Sequence, residues 1–137
     1  MPARVTDPPL PDELVDLVAA RLAALGDPTR VRLLDTLRRA GEASVGELAD
    51  ATGAGYANAA KHLALLHRQR VLSRRKEGAR VIYRICDPSV LGICELVCES
   101  LATQVRELEA LVDAVSAGEP PPALAREAMS VTSEVTG

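Results

Sequence analysis

Apolar residues recur at helical spacing over most of the chain and alternate with polar ones over a short middle stretch. Leu14, Leu17, Val18, Leu22 and Leu25 form one stripe, which predicts a helix over about 10–25 that Gly26 stops. Asp27-Pro28 then marks a second helix start. An aspartate there can accept from free backbone N–H groups, and proline at the first helical position gives up a donor that had no partner. Val31, Leu34 and Leu37, with Leu33 beside them, line one face, and Gly41 ends the helix after Arg38 and Arg39. Ser44-Val45-Gly46-Glu47 has the pattern of a capping box, predicting a short helix over 45–51. Thr52-Gly53-Ala54-Gly55 reads as a turn before a further helix over 56–70. Two short helices around a glycine-containing turn are a helix-turn-helix candidate, although a plain αα-hairpin has the same outline.

The next segment separates those two outcomes. Residues 71–75 and 80–85 are strand-like, with Val81, Tyr83 and Ile85 alternating with Arg80, Ile82 and Arg84, and 76–79 join them. A helix-turn-helix followed by a basic hairpin predicts a winged helix: mainly α, with a small β-hairpin wing. Asp87-Pro88 repeats the earlier helix start, and apolar positions from Leu91 through Cys94, Leu101, Val105 and Leu108 to Val115 predict a long helix over 88–115. Its stripe outruns the winged domain, and a second copy of the chain is the simplest cover for it, so the fold is expected to be homodimeric. Residues 1–9 read as a flexible N-terminal arm, 10–116 as one DNA-binding and dimerisation domain, and the Pro-, Ser-, Thr- and Glu-rich 117–137 as a disordered tail.

Composition changes the picture in two places. The chain has no Phe or Trp and only Tyr56 and Tyr83 as aromatics, which argues against single-strand nucleic-acid binding on stacking platforms. The net charge is −3, but it is unevenly spread: 61–84 carries eight basic residues against one acid (+7), and the rest carries eight basic against eighteen acidic (−10). A basic stripe on an acidic protein is the footprint of a polyanion site; the plainer alternative is a solvated charged hairpin. The hairpin tip bears Arg74, Arg75, Lys76 and Arg80, suited to phosphates or a minor groove. There is no signal-peptide layout and no apolar run of about 18 residues, so a soluble, cytoplasmic protein without membrane contact is expected.

The segments 22–37 (LAALGDPTRVRLLDTL), 47–53 (ELADATG) and 57–88 (ANAAKHLALLHRQRVLSRRKEGARVIYRICDP), with the long helix after them, resemble the ArsR/SmtB winged-helix repressors, small dimeric sensors of metals and thiol chemistry. The resemblance covers roughly 22–111. It implies that 56–70 is the recognition helix and the hairpin is the wing. It places the dimer interface on the first and last long helices. It further implies that the ligand-free dimer represses at an inverted repeat of double-stranded DNA and that an inducer releases it. The recognition helix would present Tyr56, Asn58, Lys61 and His62. Asn58 can read adenine and Lys61 can reach guanine or phosphate, while Ala57, Ala59 and Ala60 leave few base-reading groups, giving DNA shape a larger share. His62 matches a histidine common in the family's recognition helix, and a structural hydrogen-bonding role suits it better than base reading.

For the inducer, the family's cysteine-rich motif on the third helix is missing from 44–50, and of its zinc set on the last helix only Asp87 matches; Ser89, Ser100 and Thr103 stand at the other positions. That leaves Cys86, Cys94 and Cys98. Cys94 and Cys98 are i and i+4 on one helix face, about 5–6 Å apart at Cβ, too far for an undistorted disulfide and suited to a soft ion. The expected inducer is arsenite, mercuric or cadmium ion, with no cofactor required. Buried packing cysteines are the plain alternative. A redox- or sulfide-sensing repressor is the functional alternative, and a thiol metal-buffering protein is the alternative from another class. No catalytic constellation or phosphate-cradling glycine loop points to an enzyme.

Overall fold

A computed structural model gives the structure of residues 7–119, so most of the arm read over 1–9 and of the tail read over 117–137 lies outside the described residues. The element order is α1 (Asp12–Leu25), α2 (Pro28–Ala40), β1 (Glu42–Ser44), α3 (Val45–Thr52), α4 (Tyr56–Arg68), β2 (Leu72–Glu77), β3 (Arg80–Ile85) and α5 (Ser89–Ser116). The chain divides at Pro88/Ser89 into two units, the first holding α1–α4 and the sheet, the second α5. The fold is mainly helical with a small antiparallel sheet, and no helix among the described residues is long and apolar enough to cross a membrane.

Each helix of the first unit starts and stops for a local reason. α1 begins at Asp12, two residues later than expected, because Pro11 holds an extended conformation (φ −57°, ψ 146°) and its carbonyl accepts from Leu14 and Val15. In α2, the Asp27 carboxylate accepts the Arg30 N–H at 3.0 Å. Leu33, Leu34 and Leu37 are buried there, while Val31, expected on the same inner face, is 45 % exposed. At α3 both halves of the capping box form: Glu47 N–H donates to Ser44 Oγ and Ser44 N–H to Glu47 Oε1, each at 3.1 Å. Gly53, left-handed at φ 74°, ends α3, and α4 follows after Ala54 and Gly55.

α4 stops at Arg68, short of the expected 70. Arg70 adopts a left-handed φ of 60°. The N–H of Arg70 donates to the His67 carbonyl and that of Val71 to the Leu66 carbonyl, at 2.9 and 3.0 Å. This is a Schellman closure, with its apolar pair supplied by Leu66 and Val71, both fully buried. The reversal feeds β2, which runs to Glu77 rather than 75. Glu77 pairs with Arg80, leaving a two-residue turn with Gly78 at φ 64°. A glycine first in such a turn favours the twist-matched hairpin geometry.

The sheet has three strands in the order β1-β3-β2, one more than the hairpin expected. β1 is three residues long and joins β3 antiparallel with Ser44 opposite Ile82. The core beneath is aliphatic: Leu33, Leu37, Leu48, Leu63, Leu66 and Leu72 are all fully buried. In the second unit α5 runs 28 residues, about 42 Å at 1.5 Å per residue.

Ser44→Ala removes the cap and is expected to cost about 1 kcal/mol in chemical denaturation. Arg70→Gly relieves the left-handed strain and is expected to gain about 0.5–1 kcal/mol in the same measurement.

Candidate nucleic-acid interface

α4 is packed through Ala59, Leu63 and Leu66, all fully buried, at helical spacing. The opposite surface is therefore open: Tyr56, Ala57, Asn58 and Lys61 are exposed. His62 lies on the flank instead. Its Nδ1 stands 3.0 Å from Arg30 Nη1 and 4.0 Å from the Asp27 carboxylate, with the ring 17 % exposed. Arginine only donates, so Nδ1 accepts and the neutral ring carries its proton on Nε2. Arg30 also donates to the Ala24 and Ala23 carbonyls, at 2.6 and 3.2 Å. It thus ties the end of α1 to the start of α2 and to α4. Arg30 has no signature in the periodicity, because its role rests on a partner 32 positions away.

Strand alternation decides where the wing cations point. Residues opposite each other in an antiparallel ladder share a face. The register puts Glu42, Ser44, Ser73, Arg75, Glu77, Arg80, Ile82 and Arg84 on one face, and Arg74, Lys76, Val81 and Tyr83 on the other. Arg74, Arg75 and Lys76 line a groove of about 570 Å³ with Tyr83 and Val81 of the hairpin, Val45 of α3, and Tyr56, Ala60 and Ala64 of α4. Arg74 reaches the Tyr83 hydroxyl at 3.5 Å. Among the described residues no carboxylate pairs with Arg74, Lys76 or Lys61.

The first face is different. Arg75 passes over β3 and forks onto Glu42 of β1, Nη1 to Oε2 at 2.6 Å and Nη2 to Oε1 at 2.9 Å, and Nη2 also meets Glu77 at 3.1 Å. Arg80 pairs with Glu47 of α3. These contacts hold the Glu42 carboxyl below its ordinary pKa, chiefly through Arg75, and raise the Arg75 guanidinium above its own. Glu47 is lowered chiefly by the Ser44 N–H, then by the Ser44 hydroxyl and Arg80. The four wing cations read from the sequence thus split by partner: Arg74 and Lys76 line the groove with Tyr56 and have no carboxylate, Arg75 lines it too but is paired with Glu42 and Glu77, and Arg80 is paired with Glu47.

An exposed helix beside a basic hairpin is the outline of a duplex-DNA reader. A helix-turn-helix domain family matches residues 25–75. The HTH-type transcriptional regulator KmtR of Mycobacterium tuberculosis is 39 % identical over 77 residues, which is 56 % of this chain and 58 % of that protein. The crystal structure of AntR, an antimony-specific transcriptional repressor, matches at 30 % identity and TM-score 0.65, covering 74 % of this chain and 93 % of that one. The solution structure of the homodimeric winged helix-turn-helix DNA-binding domain of Mb0332 from Mycobacterium bovis, a possible ArsR-family regulator, matches at 32 % identity and TM-score 0.59, covering 72 % and 92 %. The chain belongs to the ArsR family of winged-helix transcriptional regulators. As such it is a DNA-binding regulator and not an enzyme.

Among the described residues no group of three or more His, Cys, Asp or Glu is gathered to hold a metal ion. Cys86 and Cys98 are exposed and Cys94 is half-buried. The Cys86 thiol donates to the Arg70 carbonyl at 3.4 Å. Burial, and then the neighbouring Cys98, push the Cys94 thiol pKa up. Asp87, the one residue matching the family's zinc set, is held by Arg21 of α1 at 2.8 Å.

Arg74→Ala/Lys76→Ala is expected to weaken binding to specific and random duplexes alike, and to lower the slope of log affinity against log salt by about 0.9 for each phosphate no longer neutralised. An unchanged slope in a salt titration would remove the wing from the interface.

Proposed function

We propose that the protein is a homodimeric repressor of an inverted-repeat operator, released when a soft metal or metalloid ion binds cysteine thiolates on α5. The observation that carries the DNA half is the carboxylate-free basic groove between α4 and the wing, which has its exposed reading groups, Asn58 and Lys61, on the adjoining helix face. Asn58 reads adenine, Lys61 reads guanine or phosphate, and Arg74 and Lys76 hold the backbone. His62 is assigned to positioning α4, since its Nδ1 is already used by Arg30.

Dimerisation is assigned to α1 and α5. Leu14, Leu17, Val18 and Leu22 are 42–68 % exposed on α1. On α5, Leu101, Val105, Val112 and Val115 are 51–63 % exposed. Their spacing of four and three, through Leu108, is that of a helix seam. A second copy brings an identical stripe, and its two-fold axis would set two α4 helices one DNA turn apart.

Cys94 and Cys98, one turn apart, offer two soft donors to mercuric or cadmium ion. Trivalent arsenic takes a third thiolate, for which Cys86 of the same or the second subunit is the candidate. The likeness to an antimony-specific repressor supports a trivalent metalloid. Because the Cys94 thiol is held protonated, an ion must displace its proton, so binding tightens as pH rises toward that thiol's raised pKa. The exposure of Cys86 and Cys98 favours a second reading, release by thiol oxidation.

The test is release of an operator duplex, selected from a random pool, titrated with arsenite, mercury, cadmium, zinc and peroxide. Wild type is expected to release with a thiol-seeking ion, and Cys94→Ser/Cys98→Ser to stay bound. Release of the double variant at wild-type ion concentration would place the sensor elsewhere. Release by peroxide alone would move it to oxidation.

A further inference from the structure

The operator contacts proposed above leave the acidic residues of the sheet's first face without a role. That face holds three cations, Arg75, Arg80 and Arg84, and meets three carboxylates, Glu42, Glu77 and Glu47. Arg75 is gripped by both oxygens of Glu42, a planar fork on a planar carboxylate. The Glu47 Oε1 that meets Arg80 is the oxygen that also accepts the Ser44 N–H, so the α3 cap holds this carboxylate in position. Both pairs are open to solvent, with the Arg75 and Arg80 side chains 48 % and 56 % exposed. Such pairs are individually weak, so a phosphate could displace either carboxylate. What the carboxylates do is neutralise. A cation already balanced by a fixed protein charge has few counterions to release to a polyanion, and it adds little to salt-dependent affinity.

We infer that Glu42 and Glu47 are affinity-setting residues: they neutralise Arg75 and Arg80, so that neither adds much counterion release on meeting phosphate, and so weaken binding to non-operator DNA. Sequence-independent affinity then rests on Arg74, Lys76 and Lys61, and the remaining discrimination falls to α4. For a repressor this matters because random sites outnumber operators by many orders of magnitude, and each extra phosphate neutralised strengthens binding to all of them. The inference rests on the reading that the wing meets phosphate.

The variants are Glu42→Gln, Glu47→Gln and the pair together. Glutamine keeps the side-chain shape, and at position 47 it still serves the capping box. Binding of the full chain to a random-sequence duplex is measured across a salt titration, in the wild-type background and with Arg75→Ala/Arg80→Ala. Each arginine released is expected to steepen the salt slope by about 0.9 and to tighten random-duplex binding about fivefold near 0.15 M salt. In the Arg75→Ala/Arg80→Ala background the glutamine substitutions should add no slope. Unchanged or weaker binding of the glutamine variants would overturn the proposal, and weaker binding would mark the pairs as braces for the wing. An equal gain in both backgrounds would overturn it as well, since that is a net-charge effect. If Arg74→Ala/Lys76→Ala leaves the slope unchanged, the wing reading itself fails and takes this proposal with it. If that variant lowers the slope while the glutamine variants change nothing, the wing reading stands and the role given to Glu42 and Glu47 fails alone.

Discussion

Ser44 ends a strand and begins a helix at the same residue. Its pairing opposite Ile82 closes β1 onto β3, and its hydroxyl and N–H exchange hydrogen bonds with Glu47 to start α3. Sheet register therefore fixes where α3 begins. Left-handed Gly53 fixes where α3 ends, and α4 follows after Ala54 and Gly55. The helix that faces outward is thus positioned by a strand of only three residues. Ala59 is fully buried on α4, where its small side chain lets the helix lie close to the core.

The far end of α4 is held just as locally. Left-handed Arg70 turns the chain into β2, and Cys86, at the end of β3, donates its N–H to the Val71 carbonyl at 3.0 Å and its thiol to that of Arg70. One turn thus anchors the helix C-terminus, the start of the hairpin and its end. On the side of α4, Arg30 links His62 to the carbonyls that finish α1. Each of these anchors joins elements distant in sequence through backbone groups that would otherwise lack a partner, the kind of contact a small aliphatic core needs for a single arrangement.

What could be read from the sequence was local. Asp27-Pro28, Ser44 with Glu47, and the apolar stripes each carry their mechanism within four residues, and the helices formed there. β1 left no trace because three residues cannot show alternation. Val31 sits in a helical stripe yet is exposed, because periodicity identifies a face but not how far the core extends beneath it. The family and the winged fold were legible from order and spacing, whereas the fate of each wing cation was not. Arg75 meets Glu42 and Arg80 meets Glu47 across 33 positions in both cases, and only strand register brings them together. The cysteine spacing was equally plain, but the proton-retaining environment of Cys94 depends on burial that spacing does not report.

Charge counted by segment and charge counted by face lead to different electrostatics. The segment 61–84 carries +7, yet the alternation places Arg75, Arg80 and Arg84 among carboxylates, while Lys61, Arg68, Arg70, Arg74 and Lys76 make no ion pair among the described residues. The effective cation is smaller than the composition suggests. The rest of the chain is acidic, at −10, and its net charge repels a polyanion. Fields of this kind orient a partner before contact. An acidic protein can bind a polyanion on these terms: the net charge opposes the encounter, and the local cations beside α4 that no carboxylate balances favour it.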